Sequence, residues 1–171
     1  MIPKGDYEDR NLTSPFGIKG GLRGFNINNI RDKALFLLAR RDHSRRELLQ
    51  KLNRKGFSSS EIKIVLDELE NEDLLNEERF IASFIRSRSG KGFGPLKICA
   101  ELGKRGIDHN RIRASAEWQE TLWQERAISA RIKRFGEAIA QQQDEQLQQM
   151  RFLQQRGFTS DQIRFALTTS E

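Results

Sequence analysis

The sequence predicts an all-α protein, an elongated array of three tandem three-helix repeats. Three observations predict this fold: the composition favours helices, apolar residues recur at helical spacing, and one helix-ending motif occurs three times. The 171 residues include one Val, one Tyr and five Thr, so these residues, which favour strands, are scarce. Hydrophobic residues make up 36% of the chain, which indicates a thin core divided among small stacked units.

The recurring motif marks the end of one helix and the start of the next. It is centred on Gly56, Gly106 and Gly157, and glycine can end a helix in the left-handed conformation without a Cβ clash. A base before the glycine suits the negative end of the helix, and Ser, Asp or Thr after it can cap the next helix. Ser58 and Glu61 also have the spacing of a capping box. The shared Leu, base, apolar residue, cap and Ile are Leu52, Lys55, Phe57, Ser58 and Ile62, then Leu102, Arg105, Ile107, Asp108 and Ile112, then Leu153, Arg156, Phe158, Thr159 and Ile163.

The domain division follows from this motif and from a change in composition. Residues 1–29 hold five of the 13 glycines and two of the three prolines and show no helical period. We therefore expect a flexible or irregular N-terminal tail there. The three repeats are expected over residues 30–76, 77–120 and 121–171.

Apolar spacing and capping residues place the other helices. A helix should precede each motif, because apolar residues recur there every three or four positions. Asn76 can cap the second of these helices, and Gly94 with Pro95 can begin the helix that follows it. The glutamine-rich segment 141–155 is predicted to form a longer or weaker helix. The preceding helices are predicted over 31–41, 77–89 and 121–138.

Membrane, disulfide and metal-binding classes find no support in the residues. The longest apolar run, 34–39, is far shorter than the ~20 residues of a membrane span. The N-terminal residues have no apolar leader, so we expect a cytoplasmic protein. One cysteine, Cys99, excludes a disulfide framework and a cysteine-based zinc site, and His43 and His109 have no second ligand nearby.

The sequence also lacks the residues of an enzyme active site. No nucleophile stands with a general base, and no set of metal ligands is present. The segment 91–94, Lys-Gly-Phe-Gly, lacks the preceding strand and the residue order of a phosphate-binding loop. We therefore expect a binding protein with no catalytic residues and no cofactor.

Positive charge is concentrated in the second repeat. The chain has a net charge of +6, and residues 86–113 hold eight Lys or Arg against two acidic residues. A basic stripe attracts phosphate backbones or an acidic protein groove, so we predict the partner-binding site here. The alternative is an ordinary solvated helix face. The eight predicted partner-binding residues are Arg86, Arg88, Lys91, Lys97, Lys104, Arg105, Arg111 and Arg113.

The same region resembles the RecX family. The resemblance rests on residues 78–88 (ERFIASFIRSR), 91–98 (KGFGPLKI) and 101–107 (ELGKRGI), and it extends over about 30–168. It implies a regulatory protein that binds filaments of RecA recombinase and mainly inhibits recombinase, ATPase and co-protease activity in DNA repair and the SOS response. It also implies that some members bind single-stranded or double-stranded DNA. We expect a monomer that does not contact membranes.

A helix-turn-helix DNA-binding regulator is the alternative function, because the helix–turn–helix pair occurs three times. Such a regulator needs an exposed helix with residues that contact base edges. The second helix of the first pair instead carries Ile62, Val65 and Leu66 at core spacing. This pattern favours the RecA regulator.

Overall fold

The computed structural model describes residues 23–169, and over that range the chain forms nine α-helices and no strand. Three helices fall in each repeat, so the predicted all-α array of three-helix repeats is confirmed. Residues 1–22 and 170–171, with most of the predicted tail, lie outside the described range. The helices are α1 (Arg23–Leu38), α2 (Arg45–Asn53), α3 (Ser59–Asn71), α4 (Glu77–Gly90), α5 (Pro95–Lys104), α6 (His109–Ala114), α7 (Leu122–Phe135), α8 (Gln143–Arg156) and α9 (Ser160–Thr168).

Helix α1 begins earlier than the sequence predicts. It starts at Arg23, within the segment expected to be irregular, and it ends at Leu38 rather than at residue 41. Ile27 is half-buried against the first core, one turn before the buried Ile30 and Ala34. The apolar face therefore extends one turn toward the N-terminus, and its packing overrides the helix-weakening effect of the nearby glycines.

Each repeat has its own hydrophobic core. The first core lies between α1, α2 and α3, the second is built mainly on α4, α5 and α6, and the third lies between α7, α8 and α9. Trp123 is the exception, since it belongs to α7 but packs in the second core, with its ring centroid 5.0 Å from that of Trp118. Trp123 therefore joins the second repeat to the third.

The three predicted helix-ending turns are confirmed. Gly56, Gly106 and Gly157 have φ angles of +89°, +85° and +88°. In each turn the N–H of the residue after the glycine donates to the carbonyl of the leucine four positions before the glycine. The distances are 3.5 Å for Phe57 to Leu52, 3.2 Å for Ile107 to Leu102 and 3.2 Å for Phe158 to Leu153. This is the six-to-one hydrogen bond of a Schellman motif, which satisfies a carbonyl at the helix end.

The capping residues predicted at the helix starts are confirmed, apart from the capping box at Ser58. Asn76 accepts a hydrogen bond from the Arg79 N–H at 2.8 Å, and α5 begins with Gly94 as its cap and Pro95 in its first turn. The capping box predicted at Ser58 is wrong, because the Ser58 hydroxyl contacts the Ser60 hydroxyl at 2.8 Å instead of a backbone N–H.

The capping box occurs in the third repeat. The Thr159 N–H donates to the Gln162 side chain at 3.0 Å, and the Gln162 N–H donates back to the Thr159 hydroxyl at 3.4 Å.

Helix α8 has 14 residues, against nine in α2 and 10 in α5, which agrees with the expectation of a longer helix. Helix α7 ends at Phe135, earlier than predicted, because Gly136 takes a φ of +89°.

Helices α8, α5 and α2 are joined end to end in that order, and we call this arrangement the middle-helix column. The Gly94 N–H, at the start of α5, donates to the carbonyl of Arg156 at the end of α8 at 2.8 Å. The Ser44 hydroxyl, at the start of α2, donates to the carbonyl of Arg105 at the end of α5 at 2.9 Å. The carbonyl end of one helix thus meets the N–H end of the next, so the helix dipoles attract one another.

Candidate partner-binding face

The eight predicted partner-binding residues lie on α4, α5 and α6 and on the adjoining turns, and the structure pairs all five arginines with carboxylates. Arg86 lies 3.3 Å from Glu117, Arg88 lies 2.7 Å from Glu101, and Arg105 lies 3.0 Å from Glu47. Four of the five carboxylates lie outside residues 86–113. The arginine charge counted along that segment is therefore locally balanced in the folded chain. The remaining pairs are Arg111 with Glu77, and Arg113 with Glu120 at 3.1 Å.

The three lysines of the set have no carboxylate partner among the described residues. Lys91, at the end of α4, and Lys104, at the end of α5, are exposed. Lys97 is half-buried, with its ammonium 4.8 Å from the centre of the Phe93 ring and 3.5 Å from the Gln155 carbonyl, to which it donates. Lys91 and Lys104 are thus the members of the set whose charge remains available to a partner.

Alternating arginine and phenylalanine side chains cross from the second repeat into the third. The guanidinium of Arg105 lies 4.8 Å from the Phe84 ring centre, and that of Arg88 lies 5.4 Å from Phe84 and 5.3 Å from Phe93. Each contact is a cation–π interaction, which attracts the cation to the ring face and fixes its position. We call the whole series the arginine–phenylalanine ladder: Arg105, Phe84, Arg88, Phe93, Arg156 and Phe152.

Arg156 connects the ladder to the third repeat. Its guanidinium lies 5.0 Å from Phe93 and 5.0 Å from Phe152, and it donates to the Lys91 carbonyl at 3.0 Å. The sequence-based set does not include Arg156. The repeat alignment could have found it, because Arg156 occupies the position of Arg105 in the next repeat.

The other end of the ladder reaches the first repeat through Glu47. This carboxylate accepts hydrogen bonds from Arg105 at 3.0 Å and from Arg41 at 3.1 Å. Partial burial acts to raise the pKa of Glu47, but the hydrogen bond and charge of Arg41 and the charge of Arg105 outweigh it. The pKa of Glu47 therefore lies below its usual value, and the carboxylate stays ionised between the two cations.

A groove of about 430 Å³ lies beside this end of the ladder, between the turn before α2 and helix α4. Asp42 sits in it and accepts hydrogen bonds from the Ser83 hydroxyl at 3.1 Å and from Arg79 at 3.2 Å. Lys91 lines the same groove and pairs with no carboxylate among residues 23–169. The remaining lining residues are Arg41, Phe80, Phe84, Ser87, Arg88 and Arg105.

This arrangement is suited to holding an acidic partner and carries no reactive group. The guanidinium groups lie 4.8–5.4 Å from phenylalanine ring centres, and carboxylates hold Arg88 and Arg105 in place. Cys99 is half-buried against the second core, and burial raises the pKa of its thiol, which disfavours the reactive thiolate. Within residues 23–169 no cluster of three or more potential metal ligands occurs, and no helix there is long and apolar enough to cross a membrane.

Sequence models of the RecX family match all three repeats. The first three-helix domain of RecX matches residues 31–69, the second matches 76–115 and the third matches 120–167. The chain is also similar to two solved structures. These are RecX from Lactobacillus salivarius, at 22% identity and a TM-score of 0.71 over 85% of this chain and 96% of that one, and a regulatory protein RecX, at 18% identity and a TM-score of 0.72 over 86% and 75%.

Relatives with higher identity carry the same description. The Regulatory protein RecX of Halorhodospira halophila is 44% identical over 142 residues, which cover 83% of this chain and 88% of that protein. The Regulatory protein RecX of Pseudomonas putida strain GB-1 is 43% identical over 134 residues, which cover 78% and 86%. The chain therefore belongs to the RecX family.

Proposed function

We propose that this protein regulates RecA recombinase by binding along the RecA nucleoprotein filament and mainly inhibiting its recombinase, ATPase and co-protease activities. The observation that carries the proposal is the match of all three repeats, in order, to a family whose members are described as regulatory proteins. Action in the cytoplasm, in DNA repair and the SOS response, belongs to the same proposal.

The architecture supports inhibition by occupation of a surface. Three repeats with separate cores present a row of helix ends and grooves, and such arrays commonly bind partners along their length. A protein lodged along a filament can block the addition of a subunit or the movement that accompanies ATP hydrolysis. Neither effect requires catalytic chemistry from the bound protein.

Two exposed lysines are the cations that we expect to contact the filament or its DNA. Arg88 and Arg105 hold the arginine–phenylalanine ladder together, so reversing their charge would disturb folding as well as binding. Lys91 and Lys104 are exposed and have no carboxylate partner among the described residues. These two lysines are therefore the better positions for a binding test.

The test of the proposal follows ATP hydrolysis by RecA on single-stranded DNA while this protein is added up to stoichiometric amounts. We expect hydrolysis to fall. The double variant Lys91→Glu/Lys104→Glu should bind the filament about fivefold to tenfold more weakly, since each lost exposed contact accounts for ~0.2–1 kcal/mol.

The matched control is Lys63→Glu, which reverses an exposed charge on α3, outside the predicted stripe. It should inhibit like the unaltered protein, and all variants should keep the same melting temperature. Unchanged ATP hydrolysis with the unaltered protein would contradict the proposed function. Equal binding by the double variant and the control would contradict the assignment of the two lysines.

The alternative of a helix-turn-helix DNA-binding regulator gains no support from the second helix of the first pair. Helix α3 buries Ile62, Val65 and Leu66. On its exposed surface Asp67 and Glu70 pair with Arg45, and Glu68 pairs with Arg31. These charges are therefore balanced, and the helix offers phosphate no excess of positive charge. A salt titration on duplexes of mixed sequence tests this alternative, because a sequence-specific regulator would prefer one duplex.

A further inference from the structure

The middle-helix column contains the same end-to-end contact twice and has two open ends. At the first contact, Glu47, the third residue of α2, lies 3.0 Å from Arg105, the basic residue that ends α5. At the second, Lys97, the third residue of α5, lies against the Gly157 turn that ends α8 and donates to the Gln155 carbonyl at 3.5 Å. At both junctions, the start of one helix therefore packs on the glycine turn that ends the helix before it in the column.

The glycine turn at the end of α2 has the same structure, but no residue within the described range 23–169 covers it. Gly56 has a φ of +89°, close to the values of Gly106 and Gly157, and a Cβ built there would meet no heavy atom of a described residue within 4 Å. A Cβ built at Gly106 would lie 2.9 Å from the Arg46 side chain of α2, and a Cβ built at Gly157 would lie 2.5 Å from the Lys97 side chain of α5. Arg54 and Lys55 beside this turn are exposed and pair with no carboxylate among the described residues.

The start of α8 is the complementary open end. Residues 141–148 are all exposed, and the N-cap residue Gln142 makes no side-chain hydrogen bond to the helix start. The first turn carries Asp144 and Glu145, neither of which pairs with a described cation. Glu145 is the third residue of α8, the position that Glu47 holds in α2.

We infer that copies of this protein associate head to tail, with the start of α8 from one copy docked on the Gly56 turn of the next. Lys55 of one copy then pairs with Glu145 of its neighbour, as Arg105 pairs with Glu47 within the chain. The two surfaces differ, so the interface is heterologous, and repetition builds an open chain rather than a closed dimer.

This association should be weak for free chains. The contact is confined to two helix ends, which is less than a stable interface requires, so dilute protein should be monomeric. Copies placed side by side on one filament would meet at a much higher effective concentration. Cooperative loading along a filament is the consequence, and that part alone rests on the proposed function.

Cross-linking of free protein tests the inference without RecA. The double variant Lys55→Cys/Glu145→Cys, in a Cys99→Ala background, is treated with a short bismaleimide at high protein concentration. Because every copy then carries both cysteines, we expect a series of covalent dimers, trimers and larger species. A mixture of the two single-cysteine variants should stop at the mixed dimer. Absence of the covalent series, or absence of the mixed dimer, would overturn the inference.

A charge exchange provides an independent check by sedimentation of the free protein. Either Lys55→Glu or Glu145→Lys should weaken self-association about fivefold, since each replaces an attractive exposed pair by a repulsive one. The double variant Lys55→Glu/Glu145→Lys restores an opposite-charge pair and should recover the association. Lys63→Glu is the control and should change nothing. Failure of the double variant to recover would count against the docked pair. These outcomes are independent of RecA, so they are distinguishable from a failure of the proposed function.

Discussion

His43 is a buried histidine whose two ring nitrogens both have partners. Its Nδ1 lies 2.9 Å from the carbonyl of Arg41, and its Nε2 lies 3.0 Å from the ammonium of Lys51. The residue is 2% exposed. A neutral ring satisfies both contacts, because Nδ1–H donates to the carbonyl and Nε2 accepts from the lysine. A proton on Nε2 would instead face a second cation.

Stability should therefore depend on pH through His43. Burial, and then the charges of Arg41 and Lys51, hold the pKa of His43 below its ordinary value of 6.5. As the pH falls through 6.5 the unfolded chain takes up the proton more readily than the folded one, so the free energy of unfolding decreases. Urea unfolding should give a lower free energy of unfolding at pH 5.5 than at pH 7.5. His43→Gln should remove this part of the pH dependence, and an unchanged dependence in that variant would contradict the prediction.

The arginines show how far sequence can predict single residues. Charge counting identifies the segment that carries the ladder, because Arg88 and Arg105 lie within it. It cannot identify their partners, since Glu47 is 58 residues from Arg105 in the sequence. Long-range ion pairs depend on how the repeats stack, and no local pattern encodes that. The lysines left unpaired become visible only after the pairs are assigned.

At the scale of elements, the glycine turns perform two tasks that the sequence does not separate. All three end a helix in the left-handed conformation, as the motif predicts. Gly157 also lets two helices approach, because a Cβ there would lie 2.6 Å from the Lys97 backbone nitrogen. Gly94 has the same packing role on the other side, where a Cβ would lie 2.5 Å from the backbone of Gly157.

The two tasks can be separated with matched substitutions. Gly56→Ala places a methyl group where no described residue lies within 4 Å, so it should cost about 1–2 kcal/mol, the penalty of a left-handed residue with a Cβ. Gly157→Ala adds a clash with backbone and should cost about 1–3 kcal/mol more. Urea unfolding of both variants measures the difference. Equal costs would show that the close approach at Gly157 is unimportant for stability.

Several helix starts were predictable from local signals, whereas the boundaries decided by packing were not. Asn76 and the Gly94–Pro95 pair mark helix starts by their own chemistry, so the sequence places them correctly. The start of α1 depends on Ile27 packing against the first core, and Ser58 contacts Ser60 rather than capping α3. Both outcomes are decided by three-dimensional neighbours, which a residue pattern does not specify.

At the scale of the whole molecule, stability is distributed over three cores that are coupled through narrow junctions. The second and third repeats meet through the Gly94–Gly157 contact, the Arg156 part of the ladder and the packing of Trp123 in the second core. In an array of this kind each unit depends mainly on its neighbour. A defect at one junction should therefore reduce the protection of backbone amides against hydrogen exchange only in the repeats near that junction.

Hydrogen exchange of Gly157→Ala tests this coupling directly. We expect amides of α8 and α9 to lose protection, because the clash loosens the third repeat from the second. Amides of α3, which belong to the first core, should keep the protection of the unaltered protein, since no residue of that core contacts the altered junction. A uniform loss across all three cores would instead show that the chain unfolds as one cooperative unit.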